Sequence, residues 1–306
     1  MVEGVWDIAA SINARLVTDF EPGIVMTAFM PREGSLFSIK GAGQFVIALI
    51  LPVIHCGARL SNLLLMCGRY AISKRPEELI EEFEITAGHV GRALPADWNI
   101  SPTKEIYVIR NNSDAKRELV NLSWGLIAPW SKSLKEAIKS QSSAINARTE
   151  SVDVKPTFKN AFKYHRCLIP ATGYYEWATE LGEFPSKQPF YIHSKSEKTL
   201  AFAGIYSSWQ DEGGATRQSA ALITRPAVDF LAKIHHRMPT FLPNDRWDTW
   251  LDSKRNNVAE LKALLDFPDE AKGLIADPVS PMVNATRNNG PELIAPIEIG
   301  EPQTLF

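Results

Sequence analysis

The segment LLLMCGRYAI, at residues 63 to 72, places Cys67 directly after a methionine. If translation starts at Met66 and this methionine is removed, Cys67 carries a free α-amine next to its thiol. The pKa of such an amine is about 7.7–8.0, so much of it is neutral near pH 7. An aminothiol suits an aldehyde, because the amine forms a Schiff base and the sulfur then closes a thiazolidine ring. The alternative is a small buried cysteine.

Two polar side chains in SAINARTES, residues 143 to 151, are suited to hold such a reaction in place. On a β-strand, Asn146 and Arg148 point to the same face. Asn146 could hold the amine or backbone of Cys67, and the planar guanidinium of Arg148 could bind a phosphate. The alternative is an edge-strand asparagine and an arginine in a surface ion pair.

The segment RCLIPATGYYEW, residues 166 to 177, carries a carboxylate among aromatic side chains. On a strand, Tyr174 and Glu176 share one face, and Tyr175 and Trp177 share the other. Bulky neighbours should partly remove water from Glu176 and raise its pKa, as a general acid/base near neutral pH requires. The alternative is a glutamate that faces solvent.

The segment KIHHRMP, residues 233 to 239, offers a proton carrier, because histidine titrates near physiological pH. In an extended chain His235 and Arg237 share a face, whereas His236 points the other way. We therefore expect His235 to be the functional histidine. The alternative is a histidine at a helix end that is hydrogen-bonded to the backbone.

The segment WGLIAPW, residues 124 to 130, contains two tryptophans. Trp124 is expected in the core. Trp130 follows a proline in a loop-like stretch, where it belongs either to the core or to the surface. An exposed tryptophan could stack on a nucleic-acid base or act as a wedge in a strand.

The elements that would carry these residues are short. Strands are predicted at residues 105–110, 118–124, 166–170, 173–177, 189–193, 200–206 and 219–224. Helices are predicted to begin at residue 76 and to lie near residues 133–139, 156–163, 226–234, 244–251 and 257–265. Strands separated mostly by turns favour an antiparallel α+β domain over a doubly wound sheet.

The amino-acid composition limits which kinds of binding site the protein can have. The 306-residue chain has a formal net charge of −2, so any nucleic-acid site has to be a local basic patch. Its cysteines, Cys56, Cys67 and Cys167, do not make a disulfide framework and fit a reducing, cytoplasmic compartment. The sequence has neither a Gly-rich phosphate loop nor a CxxC pair, so we expect no small-molecule cofactor and no metal site.

Residues 1–65 differ from the rest of the chain, with four Lys or Arg residues and little amphipathic periodicity. Their apolar run, residues 45 to 54, is too short to span a bilayer, which needs about 20 residues. It also starts too far from the N-terminus for a signal peptide and lacks a preceding basic stretch. We expect residues 1–65 to be a non-native or cleaved, poorly ordered extension and residues 66–306 to form the domain.

Six motifs in order resemble the SOS response-associated peptidase (SRAP) family of abasic-site processing proteins. They are MCGRY, WNISPT, WGLIAPW, INARTES, RCLIPATGYYEW and IHHRMP, and the resemblance covers about residues 66 to 297. It implies a single α+β domain of mainly antiparallel, barrel-like β-sheets with short flanking helices. It also implies a groove for single-stranded DNA and a covalent cross-link to the ring-opened aldehyde of an abasic site.

Roles carried over from this resemblance agree with the chemistry above. Cys67 is the implied nucleophile, Asn146 orients its amine, Glu176 is the acid/base and His235 transfers protons in ring opening and reversal. The implied DNA contacts are Arg69, Arg148, Arg237 and the base-stacking Trp130. The protein is expected to be a monomer that acts on damaged DNA of the nucleoid and has no membrane partner.

The sequence departs from the family pattern at Cys67. In the chain as written, the Cys67 nitrogen is part of an amide and cannot form a Schiff base. Either the true start is Met66, which we favour, or the protein cleaves its own Met66–Cys67 bond. Two other functions stay open. One is a cysteine peptidase that uses Cys67, His235 and either Glu176 or Asn146. The other is a non-catalytic single-strand binding module that tolerates Cys67→Ala.

Overall fold

The computed structural model describes residues 67–178, 184–266 and 271–299, and the backbone of three strands nearer the N-terminus. The chain divides into two compact units, residues 1–61 and 62–306. In the first unit, β1 (Val25–Phe29), β2 (Leu36–Lys40) and β3 (Val46–Ile50) form an antiparallel sheet in that order. The rest of residues 1–65 lies outside the described residues, so the prediction of a poorly ordered extension stays a prediction.

The second unit is built around a β-sheet that closes on itself. Its ring consists of β7 (Glu105–Asn111), β8 (Arg117–Trp124), β10 (Arg166–Ala171), β13 (Leu200–Gln210) and β14 (Thr216–Pro226). Neighbouring strands pair antiparallel in the order β14, β13, β10, β7 and β8. A parallel pairing of β14 with β8 completes the ring, which makes it a small barrel.

Three short strands extend this barrel, namely β5 (His89–Val90), β9 (Asn146–Arg148) and β15 (Arg237–Pro239). β9 runs parallel to β14 and places Asn146 opposite Leu222. β15 pairs with the end of β14 and places Arg237 opposite Pro226. Two motifs that are far apart in sequence, INARTES and IHHRMP, therefore meet along β14.

A second, antiparallel sheet has the order β16 (Leu274–Pro278), β12 (Pro189–Ser194), β11 (Gly173–Trp177), β4 (Tyr70–Ile72) and β6 (Asp97–Ile100). It joins the barrel closely, because only Thr172 separates β10 from β11. Since β4 begins three residues after Cys67, the pairing of β4 with β11 sets where Cys67 lies relative to Glu176.

The helices are short and flank the sheets. They are α1 (Pro76–Glu82), α2 (Leu134–Ser143), α3 (Pro156–Tyr164), α4 (Trp247–Leu251) and α5 (Val258–Leu264). Proline opens α1 and α3, where its missing N–H is harmless. Ser133 and Asn257 cap α2 and α5 through side-chain oxygens. The predicted α+β class, with mainly antiparallel barrel-like sheets and short helices, is confirmed.

One predicted element is wrong. Residues 226–234 do not form an α-helix, because β14 extends to Pro226 and a 3₁₀-helix follows at Asp229–Lys233. Asp229 has a φ of 51°, which is outside the right-handed helical region, so an α-helix cannot pass through it. Within the residues that the structure describes, no helix is both long and apolar enough to cross a membrane.

The core connects the barrel to the start of β4. Tyr70 is buried and packs edge-on against Trp124, with 5.2 Å between ring centroids, and against Phe202 at 5.9 Å. Trp124 is in the core as predicted, and its Nε1 donates a hydrogen bond to the carbonyl of Ile145 at 3.1 Å. Ile145, which precedes Asn146, and Tyr70, which lies three residues after Cys67, are thus held by the same aromatic cluster.

Candidate active site

Strand pairing brings Glu176 to Cys67. Tyr174 of β11 lies opposite Tyr70 of β4, and the Tyr175 N–H donates to the Arg69 carbonyl at 2.9 Å. In this register Glu176 faces inward, and its Oε1 accepts a hydrogen bond from the Cys67 backbone nitrogen at 2.9 Å. Glu176 is 1% exposed, so the solvent-facing alternative does not hold.

Burial changes the acidity of both side chains. It raises the pKa of Glu176 to about 8, although hydrogen bonds from the Cys67 thiol and N–H act in the other direction. Burial and the nearby Glu176 carboxyl also raise the pKa of the Cys67 thiol well above its usual value, while Arg237 lowers it. Near neutral pH, Glu176 can therefore donate a proton, and Cys67 is a thiol rather than a thiolate.

His235 lies beside Glu176. Its Nδ1 lies 3.5 Å from Glu176 Oε2, a buried oxygen that has no hydrogen bond within the described part of the chain. The same Nδ1 lies 3.2 Å from the backbone nitrogen and oxygen of Arg237. Burial lowers the pKa of His235 to about 4, so the ring is neutral at pH 7. His236, by contrast, is exposed.

Asn146 reaches the same place from β9. Its Nδ2 donates a long hydrogen bond, 3.4 Å, to the carbonyl oxygen of Cys67. Cys67 has a φ of 44°, a left-handed conformation that costs free energy for a residue with a side chain. Asn146 and Glu176 together hold Cys67 in this conformation from both sides of its backbone. The structure thus brings together Cys67, Asn146, Glu176 and His235.

Arg237 is buried rather than presented to solvent. Its guanidinium forms an ion pair with Glu150 and donates to the Thr224 carbonyl at 2.7 Å. Burial opposes ionisation of Glu150, but the hydrogen bond and charge of Arg237 lower the pKa of this carboxyl to about 2. Arg237 therefore acts on Cys67 as a nearby positive charge, and a phosphate would have to displace Glu150 to reach it.

The other predicted DNA contacts differ in exposure. Arg148 is exposed at the end of β9, opposite Thr224, and Trp130 is 56% exposed, so its core alternative does not hold. Arg69 is half-buried, and its Nη1 donates to Asn99 Oδ1 at 2.7 Å and to the Val283 carbonyl at 2.9 Å.

Sequence reasoning missed three residues that organise the site. Glu150 and Thr224 hold Arg237, as described above. Asn99, from the WNISPT motif, is fully buried and donates to the carbonyls of Val283, Ala285 and Asn288. Glu150 lies in INARTES, but strand periodicity says nothing about a partner 87 residues away. The position of Asn99 between Trp98 and Ile100 in β6 was the available signal for its burial.

The fold and site define a β-barrel protein in which a buried cysteine contacts a protonatable glutamate and a neutral histidine lies beside that glutamate. The chain belongs to the SOS response associated peptidase (SRAP) family, whose model matches residues 66–286. The abasic site processing protein YoaM of Bacillus subtilis is 34% identical over 229 residues, which are 75% of this chain and 97% of YoaM. The abasic site processing protein HMCES of Gallus gallus is 30% identical over 64% of this chain and 63% of its own length.

Solved structures agree on the fold. A protein from Bacteroides thetaiotaomicron superposes with a TM-score of 0.65 at 24% identity and covers 76% of this chain and all of its own. A protein from Bordetella bronchiseptica gives a TM-score of 0.58 at 26% identity, over 70% of this chain and all of its own. The barrel and its companion sheet are therefore a fold shared with these proteins.

Proposed function

We propose that this protein processes abasic sites in single-stranded DNA by forming a covalent thiazolidine cross-link through Cys67, as part of the response to DNA damage. The observation that carries the proposal is the 2.9 Å contact between the Cys67 nitrogen and the buried Glu176 carboxyl. It places a carboxyl group that can take up and return a proton beside the nitrogen that would attack the aldehyde. The names of YoaM and HMCES support the choice of an abasic site as substrate.

The reaction begins with the sugar. An abasic deoxyribose is mainly a closed hemiacetal, and opening it to the aldehyde moves a proton from the hydroxyl to the ring oxygen. His235 is neutral and can accept the first proton, while protonated Glu176 can donate the second. The distance of 3.5 Å between His235 Nδ1 and Glu176 Oε2 lets His235 pass the proton back to Glu176.

Cross-linking then follows in two steps. The Cys67 amine attacks the aldehyde carbon to give a carbinolamine, and a proton from Glu176 lets its hydroxyl leave as water, which forms the iminium. The thiol gives its proton to the Glu176 carboxylate, and the sulfur bonds to the iminium carbon as the C=N electrons return to nitrogen. The products are a thiazolidine and one water molecule, and Glu176 regains its proton.

This chemistry requires a free amine, so we propose that the active form begins at Cys67. The family match that begins at residue 66 supports this boundary, as does a YoaM match that spans nearly all of that protein. Translation from Met66 followed by methionine removal is the simpler route. Cleavage of the Met66–Cys67 bond by the protein is the other, and a protonated Glu176 beside the Cys67 nitrogen could protonate the departing amine.

Strand binding is assigned to the exposed residues. Arg148 would contact a phosphate and Trp130 would stack on a base. Arg69 and Arg237 are engaged by protein groups, so each would contact a phosphate after exchanging a partner. A cysteine peptidase that acts on other proteins is less well supported, because the Cys67 thiol is hydrogen-bonded to Glu176 and its pKa is raised.

The test uses protein that starts at Met66 and has lost this methionine. Mixed with a single strand that carries one abasic site, it should form an adduct that survives denaturing electrophoresis, with a mass equal to protein plus strand minus water. The intact strand should give no adduct. Cys67→Ser should give at most a reversible imine, because oxygen closes the ring less favourably than sulfur. A stable adduct with Cys67→Ala would reject Cys67 as the nucleophile.

A further inference from the structure

The side chain of Glu150 borders both Arg237 and a small cavity. Its carboxylate accepts hydrogen bonds from both Nη atoms of Arg237, with 3.1 Å between Nη2 and Oε2. The same side chain lines a cavity of about 190 Å³ together with Arg225 and Lys262. This volume is below the range of about 300–1,000 Å³ that small-molecule sites usually have, but it has room for a carboxylate group.

Glu150 covers Arg237 on the side of the solvent. The Glu150 side chain is 49% exposed, whereas that of Arg237 is 6% exposed. Arg237 Nη2 also donates to the Thr224 carbonyl at 2.7 Å and to Thr224 Oγ1 at 3.2 Å. If Glu150 turned away, Thr224 would keep the guanidinium in place. A phosphate accepts the same bidentate pair of hydrogen bonds as a carboxylate, so it could then bind where Glu150 had been.

The Glu150 carboxylate can leave Arg237 without a movement of the backbone. The backbone on either side of Glu150 is fixed, because the Thr149 N–H donates to the Thr224 carbonyl at 2.9 Å and the Ser151 N–H donates to the Arg148 carbonyl at 3.0 Å. The Glu150 side chain itself is exposed, and exposed side chains change rotamer within picoseconds to nanoseconds. Rotation of this one side chain is therefore sufficient.

The cavity offers positive charge to a carboxylate that turns into it. Lys262 Nζ contacts Asp153 Oδ1 at 2.7 Å, which uses one of its three N–H donors. Arg225 Nη2 lies 3.7 Å from Asp266 Oδ1, and the Asp266 side chain is 86% exposed, so solvent weakens this pair. Glu150 would thus exchange one cationic neighbour for two.

We propose that Glu150 is a movable counter-ion that controls the access of the DNA strand to Arg237. It holds Arg237 until a strand phosphate takes its place, and its carboxylate then turns to Arg225 and Lys262. This inference rests on the proposed function, because the phosphate belongs to the strand that reaches Cys67. Arg225 and Lys262 support strand binding in this way without contacting the strand, and Glu150 lowers the affinity for every strand.

The first experiment removes the charge of Glu150. The Kd of a fluorescent, undamaged single strand is measured by anisotropy, so that no cross-link contributes. Glu150→Gln should tighten binding by about 3- to 10-fold, because the phosphate no longer competes with a charged group. Glu197→Gln removes the same charge from the exposed turn between β12 and β13 and should have little effect. Unchanged or weaker binding by a folded Glu150→Gln variant would overturn the proposal.

The second experiment tests whether the cavity acts through Glu150. Arg225→Gln and Lys262→Gln should each weaken strand binding by about 3- to 10-fold, without changing the slope of log K against log salt. In the Glu150→Gln background both should have little effect, because no carboxylate has to be received. Lys195→Gln, in the exposed turn after β12, is the charge-matched control and should have little effect in either background.

A direct contact between the strand and the cavity gives a different result. If Arg225 or Lys262 bound a phosphate, its substitution would lower the salt slope by about 0.7 and weaken binding in both backgrounds, which would overturn the proposal. Glu150→Gln leaves the buried Arg237 charge without its counter-ion, so this variant is a risk to folding. If it does not fold, the salt slopes of the two cavity variants decide between indirect support and direct contact.

Adduct formation by the unmodified protein tests the cross-link separately. Its absence on a strand with an abasic site would reject the proposed function. Its presence, without coupling between Glu150 and the two cavity cations, would reject only the movement of Glu150.

Discussion

The residues assigned to chemistry and those assigned to strand binding lie in different environments. Cys67, Glu176 and His235 are at most 6% exposed, whereas Trp130 is 56% exposed and Arg148 is also exposed. Burial favours the neutral forms of Glu176 and His235, which are the forms that the proposed proton transfers use. Trp130 and Arg148 are exposed, so a DNA strand can contact them at the protein surface. Substitutions in the two regions should therefore affect different quantities.

The largest effect is expected from the proton-transfer residues. Glu176→Gln keeps the size and hydrogen-bonding capacity of the side chain but cannot release a proton. Glu176→Gln and His235→Ala should each slow adduct formation by about 10²- to 10⁴-fold, with the affinity for an undamaged strand nearly unchanged. Single-turnover adduct rates and anisotropy titrations measure the two quantities. Equal losses in both would show folding damage and remove the distinction between the regions.

The neighbouring histidine supplies a matched control. His236 is exposed and lies next to His235 in sequence, with 4.3 Å between the ring centroids. His236→Ala should change the adduct rate much less than His235→Ala, because its ring is on the solvent side. The reverse order would mean that the wrong histidine has been assigned.

The pH dependence of stability tests the buried carboxyl. Because the folded-state pKa of Glu176 is raised to about 8, the folded protein holds a proton that the unfolded chain releases above its ordinary pKa. In a chain that keeps the Met66–Cys67 peptide bond, the Glu176 contribution to the free energy of unfolding should fall from pH 5 to pH 8. His235, whose pKa is lowered from 6.5 to about 4, contributes the opposite slope below pH 6.5. Glu176→Gln should remove the Glu176 part of the dependence in urea denaturation. If the free energy of unfolding depends on pH in the same way in both proteins, the pKa of Glu176 is not raised by folding, which would mean that the carboxyl is hydrated.

The smallest effect is expected in the strand-binding region. Arg148→Ala should weaken binding of any single strand and reduce the slope of log K against log salt by about 0.7, as expected for one lost phosphate contact. The adduct rate at saturating strand should stay close to that of the unmodified protein. An unchanged salt slope would mean that Arg148 is structural, and the exposed region would lose its main phosphate contact.

Sequence patterns predicted which side chains lie in the buried region better than they predicted which residues those side chains contact. Alternation on β11 predicted that Glu176 lies among aromatic side chains, and extended geometry separated His235 from His236. The burial of Arg237 could not be predicted, since it depends on Glu150 and on Thr224 from β14, which no local pattern connects. The very short strands β5 and β9 exist because longer strands offer them hydrogen bonds, a tertiary effect that propensity does not record.

The central claim is that Cys67 acts through its own amine. An amide nitrogen is delocalised into its carbonyl and cannot condense with an aldehyde. The most direct measurement compares two preparations whose first residues are established by intact mass, the uncut 306-residue chain and the chain that begins at Cys67. Incubated with the same abasic strand, only the chain that begins at Cys67 should form a stable adduct. A stable thiazolidine-type adduct on a chain shown to be uncut would contradict the account.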